Sequence, residues 1–413
     1  MTQTHETKNA TFFYAPVWLG DYEKALEVLR RDDRFLPVSR EEPPQYLMPY
    51  AANIYQDEKL YSAFLLKPEF MPALCMYGQQ LELETEPVLE SVRLSCFATG
   101  CAFAEFRVTY GGLSIEQIVD FTFRFKNATK TDTRNGHTLT MCAVLEDLLS
   151  GIAGMEMFFT GSDFKKECRM FHQIFSEDVL DEETTRKHLR HLSRGYHNQF
   201  SMPHSDGDYD MEYHPYAYDH WAGSQEGLVN LYYHSGERTT DFFLDRFKAG
   251  QLARNYSFMY LLLLNQRFSA IKLICQITDY GKYTRIEKED LNRRIVQLKT
   301  TFAFNIISDD LLYQNVYKRM YSLLDVDRLL EDIRDNEQHV ELIQNYEALE
   351  TEKLTSRFLF GLSILSIFSV LIDASSYFDR IPMVQEISTG LSSVCMLAIV
   401  LSYVIWWIRY RSK

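Results

Sequence analysis

The sequence predicts an α/β domain that is followed by long helices and ends in a transmembrane hairpin of two helices. Three observations favour this fold class. Aromatic and β-branched segments alternate with amphipathic ones over residues 1–240, and helical patterns fill residues 241–357. Two apolar stretches follow, 358–378 and 387–408. Each is long enough to cross a bilayer core, which takes about 20 residues of helix.

Within residues 1–240, several local patterns define elements. Residues 11–19 are aromatic and β-branched, which predicts a first strand, and Asp21 is placed to cap a helix that runs to residue 31. Residues 91–110 predict two strands around a turn at 99–100. Strands that alternate with helices indicate a sheet with helices packed on it.

Residues 196–238 are rich in Tyr, His, Asp and Gly and poor in aliphatic residues, which predicts a long loop or a hairpin excursion. Aromatic and polar side chains together are suited to stack on a purine and to hydrogen-bond a ribose. A purely structural segment is the alternative. The candidate ligand-binding residues are Tyr209, His214, Tyr216, Tyr218, Asp219, His220 and Trp221.

The helical region 241–357 holds one apolar patch, residues 256–264, which is too short to span a bilayer and predicts a buried helix. Residues 311–356 contain no Pro or Gly, so we expect one unbroken stalk helix that enters the first span. The stalk is acidic. Its carboxylates are either a solvated face or divalent-cation gating sites, for which the candidates are Asp325, Asp332, Asp335 and Glu341.

Charges that flank the apolar stretches predict the topology. The tail 409–413 is basic and the turn 379–386 is acidic, so the positive-inside rule places both termini in the cytoplasm. The first residues lack the pattern of a signal peptide, and we therefore expect a multi-pass protein of the inner membrane. The net charge of −14 argues against a nucleic-acid partner. No nucleophile elbow, P-loop or HExxH motif appears, so no enzymatic activity is expected.

The first span has a polar face. At about 100° per residue, five positions fall within an arc of about 80° and two more flank it. Pore lining is one interpretation of such a stripe, and close packing between helices is the other. Asp373 is the ionisable member, and a ring of such carboxylates favours cations. The candidate pore residues are Ser363, Ser366, Ser369, Val370, Asp373, Ser376 and Tyr377.

The layout of the chain, most clearly residues 241–413, resembles the CorA family of divalent-cation transporters. The shared features are a cytoplasmic α/β domain, a stalk helix that enters the first of two C-terminal spans, an acidic outer turn and a basic tail. The resemblance implies a homo-oligomer, a pentamer in the family, whose first spans line a pore for a divalent cation such as Mg²⁺. Family members carry Gly-Met-Asn where this chain reads ASSYFD over 374–379. The missing motif narrows the expectation to a CorA-like pore of unspecified selectivity.

A divergent CorA-like branch accompanies type III CRISPR loci. Resemblance to that branch implies an antiviral membrane effector that is opened by an adenine-nucleotide messenger, such as adenylated S-adenosylmethionine. The sequence therefore leaves three hypotheses: a cation channel or transporter gated by its cytoplasmic domain, the nucleotide-gated effector, and a membrane-anchored sensor without a pore.

Overall fold

The structure is a computed structural model. It describes residues 8–39, 42–71, 87–127, 145, 148–149, 152, 154–158, 168–200, 211–377 and 394. The chain divides into two compact units, Met1–Asn336 and Glu337–Lys413.

The first unit is built around a ten-stranded sheet in the order β2-β3-β4-β5-β1-β7-β10-β9-β8, with β6 paired to β1. Neighbouring strands are antiparallel except β7 and β10, which are parallel. The strands are β1 Ala10–Leu19, β2 Phe35–Pro37, β3 Tyr61–Leu66, β4 Val88–Phe97, β5 Cys101–Thr109, β6 Met155–Met157, β7 Arg169–Ser176, β8 Met211–Tyr216, β9 Asp219–Gly223 and β10 Gly227–Tyr233.

Helices cover both faces of this sheet. Those described are α1 Tyr22–Arg31, α2 Pro49–Gln56, α3 Ile115–Asn127, α4 Glu182–Arg194, α5 Arg238–Thr278, α6 Arg285–Gln297, α7 Leu311–Leu323 and α8 Val326–Tyr377. Short 3₁₀ turns lie at Pro68–Phe70 and Tyr280–Lys282, and π turns lie at Leu244–Lys248, Leu252–Tyr256 and Leu298–Phe302. The predicted domain of sheet and helices is confirmed, and its sheet is mostly antiparallel.

Strand β1 shows how the layers form, because alternate side chains point to opposite faces of a strand. Phe13 packs on Phe125 of α3 with ring centroids 4.7 Å apart. The next residue, Tyr14, points to the other face and meets Tyr260 of α5 at 5.7 Å. Both faces of the central strand are therefore buried, which explains its continuous apolar pattern.

Local signals in the first hundred residues are confirmed. Asp21 caps α1, and its carboxylate accepts a hydrogen bond of 3.2 Å from the backbone N–H of Lys24. The two strands predicted within residues 91–110 are β4 and β5. Gly100 makes their tight connection with a φ of +90°, which side chains other than glycine rarely adopt.

The segment 196–238 supplies three strands, β8 to β10, at one edge of the sheet. The long-loop interpretation is wrong and the hairpin alternative is confirmed for β8 and β9. Strand β10 then returns into the sheet and pairs with β7 in parallel. Its residues 228–232 (LVNLY) are buried, so aliphatic and aromatic side chains stabilise this edge from within.

Helix α5 contains the apolar patch 256–264, and every residue of that patch is buried against the sheet and its neighbouring helices. Among the described residues, α5 is the helix whose length and composition would allow it to cross a membrane. The burial of 72% of its most apolar window instead indicates a core helix. The predicted buried helix is confirmed.

The stalk is not one unbroken helix from residue 311, and that prediction is wrong. Helix α7 ends at Leu323, and α8 begins at Val326. Between them Asp325 has a left-handed backbone with a φ of +53°. Asp reaches this conformation more easily than most side chains, so the chain breaks without Pro or Gly. The Arg267 guanidinium donates a hydrogen bond to the carbonyl of Leu324 at the break.

In the second unit, α8 continues to Tyr377, so the first apolar stretch is helical to its penultimate residue. Its described side chains are exposed in the single chain apart from the half-buried Leu365, with Phe360 at 68% and Val370 at 64%. The second stretch, apart from the helical residue Val394, lies outside the described residues, as do the turn 379–386 and the tail 409–413.

Candidate functional site

The predicted ligand residues of the segment 196–238 do not lie on one surface. Along β9, Asp219 and Trp221 point toward α5, whereas His220 points to the face that carries α4. Tyr216 and Tyr218 stack at the tip of the hairpin with centroids 5.3 Å apart. Tyr209 lies outside the described residues.

Asp219 and Trp221 belong to the interior of the protein. The Asp219 carboxylate accepts a 2.8 Å hydrogen bond from Lys248 and a 2.5 Å bond from Asn230. Both charged groups are buried, so each compensates the desolvation of the other. The Trp221 ring packs against Tyr256 at an interplanar angle of 38°, with centroids 4.6 Å apart. These contacts hold α5 on the sheet and leave no room for a ligand on either side chain.

His214 and His220 lie in a cleft of about 340 Å³ between the β8–β10 edge and α4, which we call the histidine cleft. One Nδ1 donates to the other across 2.9 Å, and His220 Nε2 lies 3.2 Å from the Tyr233 hydroxyl. Burial, and then the neighbouring His214, lower the pKa of His220. Arg186, which also lines this cleft, is paired with Glu212 at 3.7 Å.

A larger cleft of about 810 Å³ lies between strands β3–β5 and helix α5, and we call it the arginine cleft. Its volume falls within the range of small-molecule sites, about 300–1,000 Å³. Strands β4 and β5 form the floor of this cleft. Arg93 on β4 lies opposite Glu105 on β5, and Arg107 lies two residues after Glu105 on the same face. On the other side of β5, Glu105 lies opposite Tyr14 of β1.

Glu105 is almost fully buried beneath the cleft. Burial raises the pKa of its carboxyl group, and the nearby Arg93 and Arg107 oppose that shift. The Arg93 Nε stands 4.0 Å from the carboxylate, at the outer limit of an ion pair. Arg107 pairs instead with Glu90 at 3.2 Å. Each of these two arginines therefore faces a carboxylate, Arg93 that of Glu105 and Arg107 that of Glu90.

The wall of the arginine cleft is formed by α5 where two of its turns are π-helical, Leu244–Lys248 and Leu252–Tyr256. Each turn holds a buried polar contact: Lys248 with Asp219, and Asn255 with the Tyr313 hydroxyl at 3.0 Å. Irregular turns of this kind often occur at functional sites. Here they change the set of side chains that α5 presents to the sheet.

Aromatic side chains border the arginine cleft at both ends. Phe243 and Phe247 stack on each other, with centroids 6.1 Å apart, and both are exposed. Tyr55 stacks on Tyr61 at 5.9 Å at the opposite end. Exposed aromatic rings beside several guanidinium groups form a surface suited to a planar anionic ligand.

Sequence reasoning missed the arginine cleft. A signal was present, since Arg93, Glu105 and Arg107 are charged residues inside otherwise apolar strand patterns. A charge on a buried strand face needs a partner or a function. The part of the cleft that α5 forms could not be predicted in this way, because no pattern in the sequence of α5 indicates the two π turns.

The gating candidates lie on α8. Asp325 is at the helix break and accepts a 3.3 Å hydrogen bond from Gln225, while Asp332 and Asp335 are exposed on the first turns. Glu341 is helical, but its side chain is outside the described part. Among the described residues, no group of three or more His, Cys, Asp or Glu side chains is arranged to hold a metal ion.

The pore candidates also lie on α8. Ser363, Ser366, Ser369 and Val370 are exposed, and the Ser363 hydroxyl donates to the Leu359 carbonyl at 2.9 Å. Helix α8 includes Asp373, Ser376 and Tyr377, whose side chains are outside the described part.

Comparisons with known proteins find no matching family model, no matching curated protein and no matching solved structure.

Proposed function

We propose that this chain forms a CorA-like homo-oligomeric cation channel or transporter in the inner membrane, gated by its cytoplasmic domain. The observation that carries the proposal is α8, a continuous helix in which most of the described apolar side chains over residues 358–370 are exposed in the single chain. Exposed apolar surface of this extent needs lipid or partner helices to cover it. The resemblance in layout supplies the subunit arrangement, with five subunits expected and Mg²⁺ as the candidate cation.

A second candidate is the antiviral form of this pore, opened by an adenine-nucleotide messenger. The arginine cleft favours it, because guanidinium groups and aromatic rings together suit a nucleotide. A membrane-anchored sensor without a pore is the third candidate, since an exposed apolar helix is equally well explained by an anchor.

Cation flux separates the pore from the anchor. The purified full-length protein is reconstituted into liposomes, and currents are recorded with Mg²⁺ or K⁺ as the charge carrier, with and without adenine nucleotides. A cation-selective current is expected. Intact oligomers that give no current with either cation, with or without nucleotide, would contradict the pore and favour the anchor.

Asp373 provides the matching test of the pore face. We expect Asp373→Asn to lower cation selectivity or conductance, because a carboxylate ring at a pore attracts cations. Glu352→Gln removes an exposed carboxylate from the same helix before the span and serves as the control. If the reversal potential and conductance of Asp373→Asn equal those of the wild type, Asp373 does not line the pore.

A further inference from the structure

We propose that the histidine cleft binds a divalent transition-metal ion of the Zn²⁺, Ni²⁺ and Cu²⁺ class through the imidazoles of His214 and His220. His214 follows Tyr213 on β8 and His220 precedes Trp221 on β9, and Tyr213 and Trp221 are paired in the sheet next to the β-bulge. The two Nδ1 atoms are 2.9 Å apart. Water would complete the coordination of the ion. The inference does not depend on the function proposed above.

The contacts of His220 leave its Nδ1 without a proton. The Tyr233 hydroxyl donates its hydrogen to the Ala217 carbonyl, so its oxygen accepts from His220 Nε2 at 3.2 Å. Nε2 therefore carries the ring proton, and Nδ1 presents a lone pair toward His214. Metal-binding histidines are commonly held in this way, because donating the distal N–H to a neighbouring oxygen fixes the tautomer and the ring orientation. Burial also lowers the pKa of His220, which favours the neutral imidazole that binds a metal.

His214 can supply the second nitrogen at little cost. Because Nδ1 of His220 is unprotonated, His214 donates its own Nδ1–H in the observed pair. His214 is exposed, so its neutral ring can carry the proton on Nε2 instead, with water as the acceptor. Two nitrogens bound to one tetrahedral ion at about 2.0–2.1 Å are about 3.3 Å apart. The pair must therefore open slightly from 2.9 Å, which rotation of an exposed side chain on β8, the last strand in the sheet order, can provide.

Charge and donor chemistry in the cleft favour a transition metal. Glu182 and Glu212 pair with Arg186 at 3.3 and 3.7 Å. Glu212 also pairs with Arg190 at 3.6 Å, so the positive charge of both arginines beside the imidazoles is balanced. Imidazole nitrogens select Zn²⁺, Ni²⁺ and Cu²⁺, whereas Mg²⁺ and Ca²⁺ prefer oxygen ligands. The site therefore differs in chemistry from the carboxylate gating candidates on α8.

Another described pair of histidines, His188 and His191 on α4, lacks this arrangement. His188 Nε2 lies 3.2 Å from the carboxylate of Glu116, and His191 Nε2 lies 3.2 Å from the carbonyl of Phe200. Rings whose nitrogens face separate partners do not share one ion. The facing Nδ1 atoms of His214 and His220 are therefore the feature that distinguishes the histidine cleft as the metal site.

The test uses the full-length protein in detergent, purified without a histidine tag, and Zn²⁺ as the probe in isothermal titration calorimetry. Saturable binding is expected with a Kd below about 100 µM, weaker than at a site with four protein ligands because water fills the remaining positions. Excess Mg²⁺ should not displace Zn²⁺, since Mg²⁺ prefers oxygen ligands. Zn²⁺ should also raise the melting temperature, because it binds the folded state.

The decisive variant is His214→Ala, because this side chain is exposed and its loss should leave the sheet folded. It should weaken Zn²⁺ binding by about 10-fold or more and abolish the rise in melting temperature, since it removes one of two protein ligands. His220→Ala should have the same effect on binding. The matched control is His234→Ala, which removes an exposed imidazole that pairs with Asp245 instead.

The proposal is overturned if Zn²⁺ shows no saturable binding up to about 1 mM, the weak limit of a specific site. It is also overturned if His214→Ala binds Zn²⁺ as the wild type does, or if His234→Ala weakens binding equally. Displacement of Zn²⁺ by Mg²⁺ would likewise contradict a site built from nitrogen ligands. Liposome currents report the proposed pore separately, so failure of this site would leave the pore standing.

Discussion

Two helices of this chain are long and strongly apolar, yet they meet different surroundings. In α5, the patch 256–264 is covered by the sheet and by neighbouring helices, and Leu263 has no exposed area. In α8, described apolar side chains such as Phe360 and Val370 remain largely exposed in the single chain. Hydropathy alone therefore does not decide whether a long apolar helix is covered by the rest of the chain. The decisive difference is whether the rest of the chain supplies a partner surface.

The largest effect is expected from removing a buried side chain of α5. Leu263→Ala should lower the free energy of unfolding by about 2–5 kcal/mol, because the site cannot fully close over the cavity. Leu362→Ala, in the exposed part of α8, should change it by less than about 0.5 kcal/mol. Chemical denaturation of the full-length protein in detergent measures both values. Equal effects would mean that the two helices are buried alike.

Membrane insertion tests the same contrast between buried α5 and exposed α8, through a substitution in α8. Ile364→Arg should disfavour insertion by up to about 2.5–3.5 kcal/mol, the cost of a charge at the centre of a spanning helix, because position 364 lies within the apolar stretch 358–378. The measurement is the fraction of protein that stays with membranes after alkaline carbonate extraction, with Ile364→Leu as the control. Full retention of Ile364→Arg would show that this part of α8 does not contact the lipid core.

Lowering the pH should reduce the stability of the sheet on which α5 packs, while the membrane retention of α8 should not change. His172 lies in the central sheet on the face that carries α3 and α4, with its Nδ1 2.8 Å from the Thr11 hydroxyl, and burial lowers its pKa to about 3 from an ordinary value of 6.5. Between these values the unfolded state binds the additional proton. His172 thus contributes stability that is complete above pH 6.5 and declines by about 1.4 kcal/mol for each pH unit below it.

The check is chemical denaturation of the full-length protein at several pH values between 6.5 and 4. The His172→Gln variant should lose stability with a shallower slope than the wild type, while membrane retention through α8 stays constant in both. Parallel slopes for the two proteins would show that His172 does not carry this acid sensitivity.

The smallest effect is expected at the break that precedes α8. Asp325→Val should cost about 1–2 kcal/mol, because a β-branched residue is strained at a φ of +53°. Asp325→Gly adopts that conformation freely and should stay within about 0.5 kcal/mol of the wild type. Thermal unfolding of the two variants provides the comparison. A valine variant as stable as the glycine variant would argue against a left-handed residue at this position.

Much of the first unit was predictable because its signals are local. The β-branched pattern of β1, the Asp21 cap and the turn at Gly100 depend only on neighbouring residues. Strands β8 and β9 were ambiguous because their Tyr, His and Asp side chains resemble loop composition. The break at Asp325 contains no Pro or Gly, so no local pattern of residues predicts it.

The candidate sites were less predictable than the fold. Asp219 and His220 are neighbours on strand β9, but their side chains point to opposite faces of the sheet. Asp219 contacts Lys248 of α5, whereas His220 lies in the histidine cleft. The arginine cleft joins residues from strands and from a helix that are far apart in the chain. Only the sheet register and the irregular turns of α5 bring them together, and neither follows from composition.

The two π turns of α5 give this helix an unusual sensitivity to chain length. A π turn closes its hydrogen bond one residue later than an α turn, so each of Leu244–Lys248 and Leu252–Tyr256 accommodates one additional residue. Deleting one residue from either turn would restore regular geometry. The parts of α5 on either side would keep nearly the same orientation, because the removed residue is the one that the wider turn accommodates. A one-residue deletion in a π turn should consequently be tolerated better than one in the regular part Ser257–Thr278, where it would rotate the preceding part of the helix by about 100°.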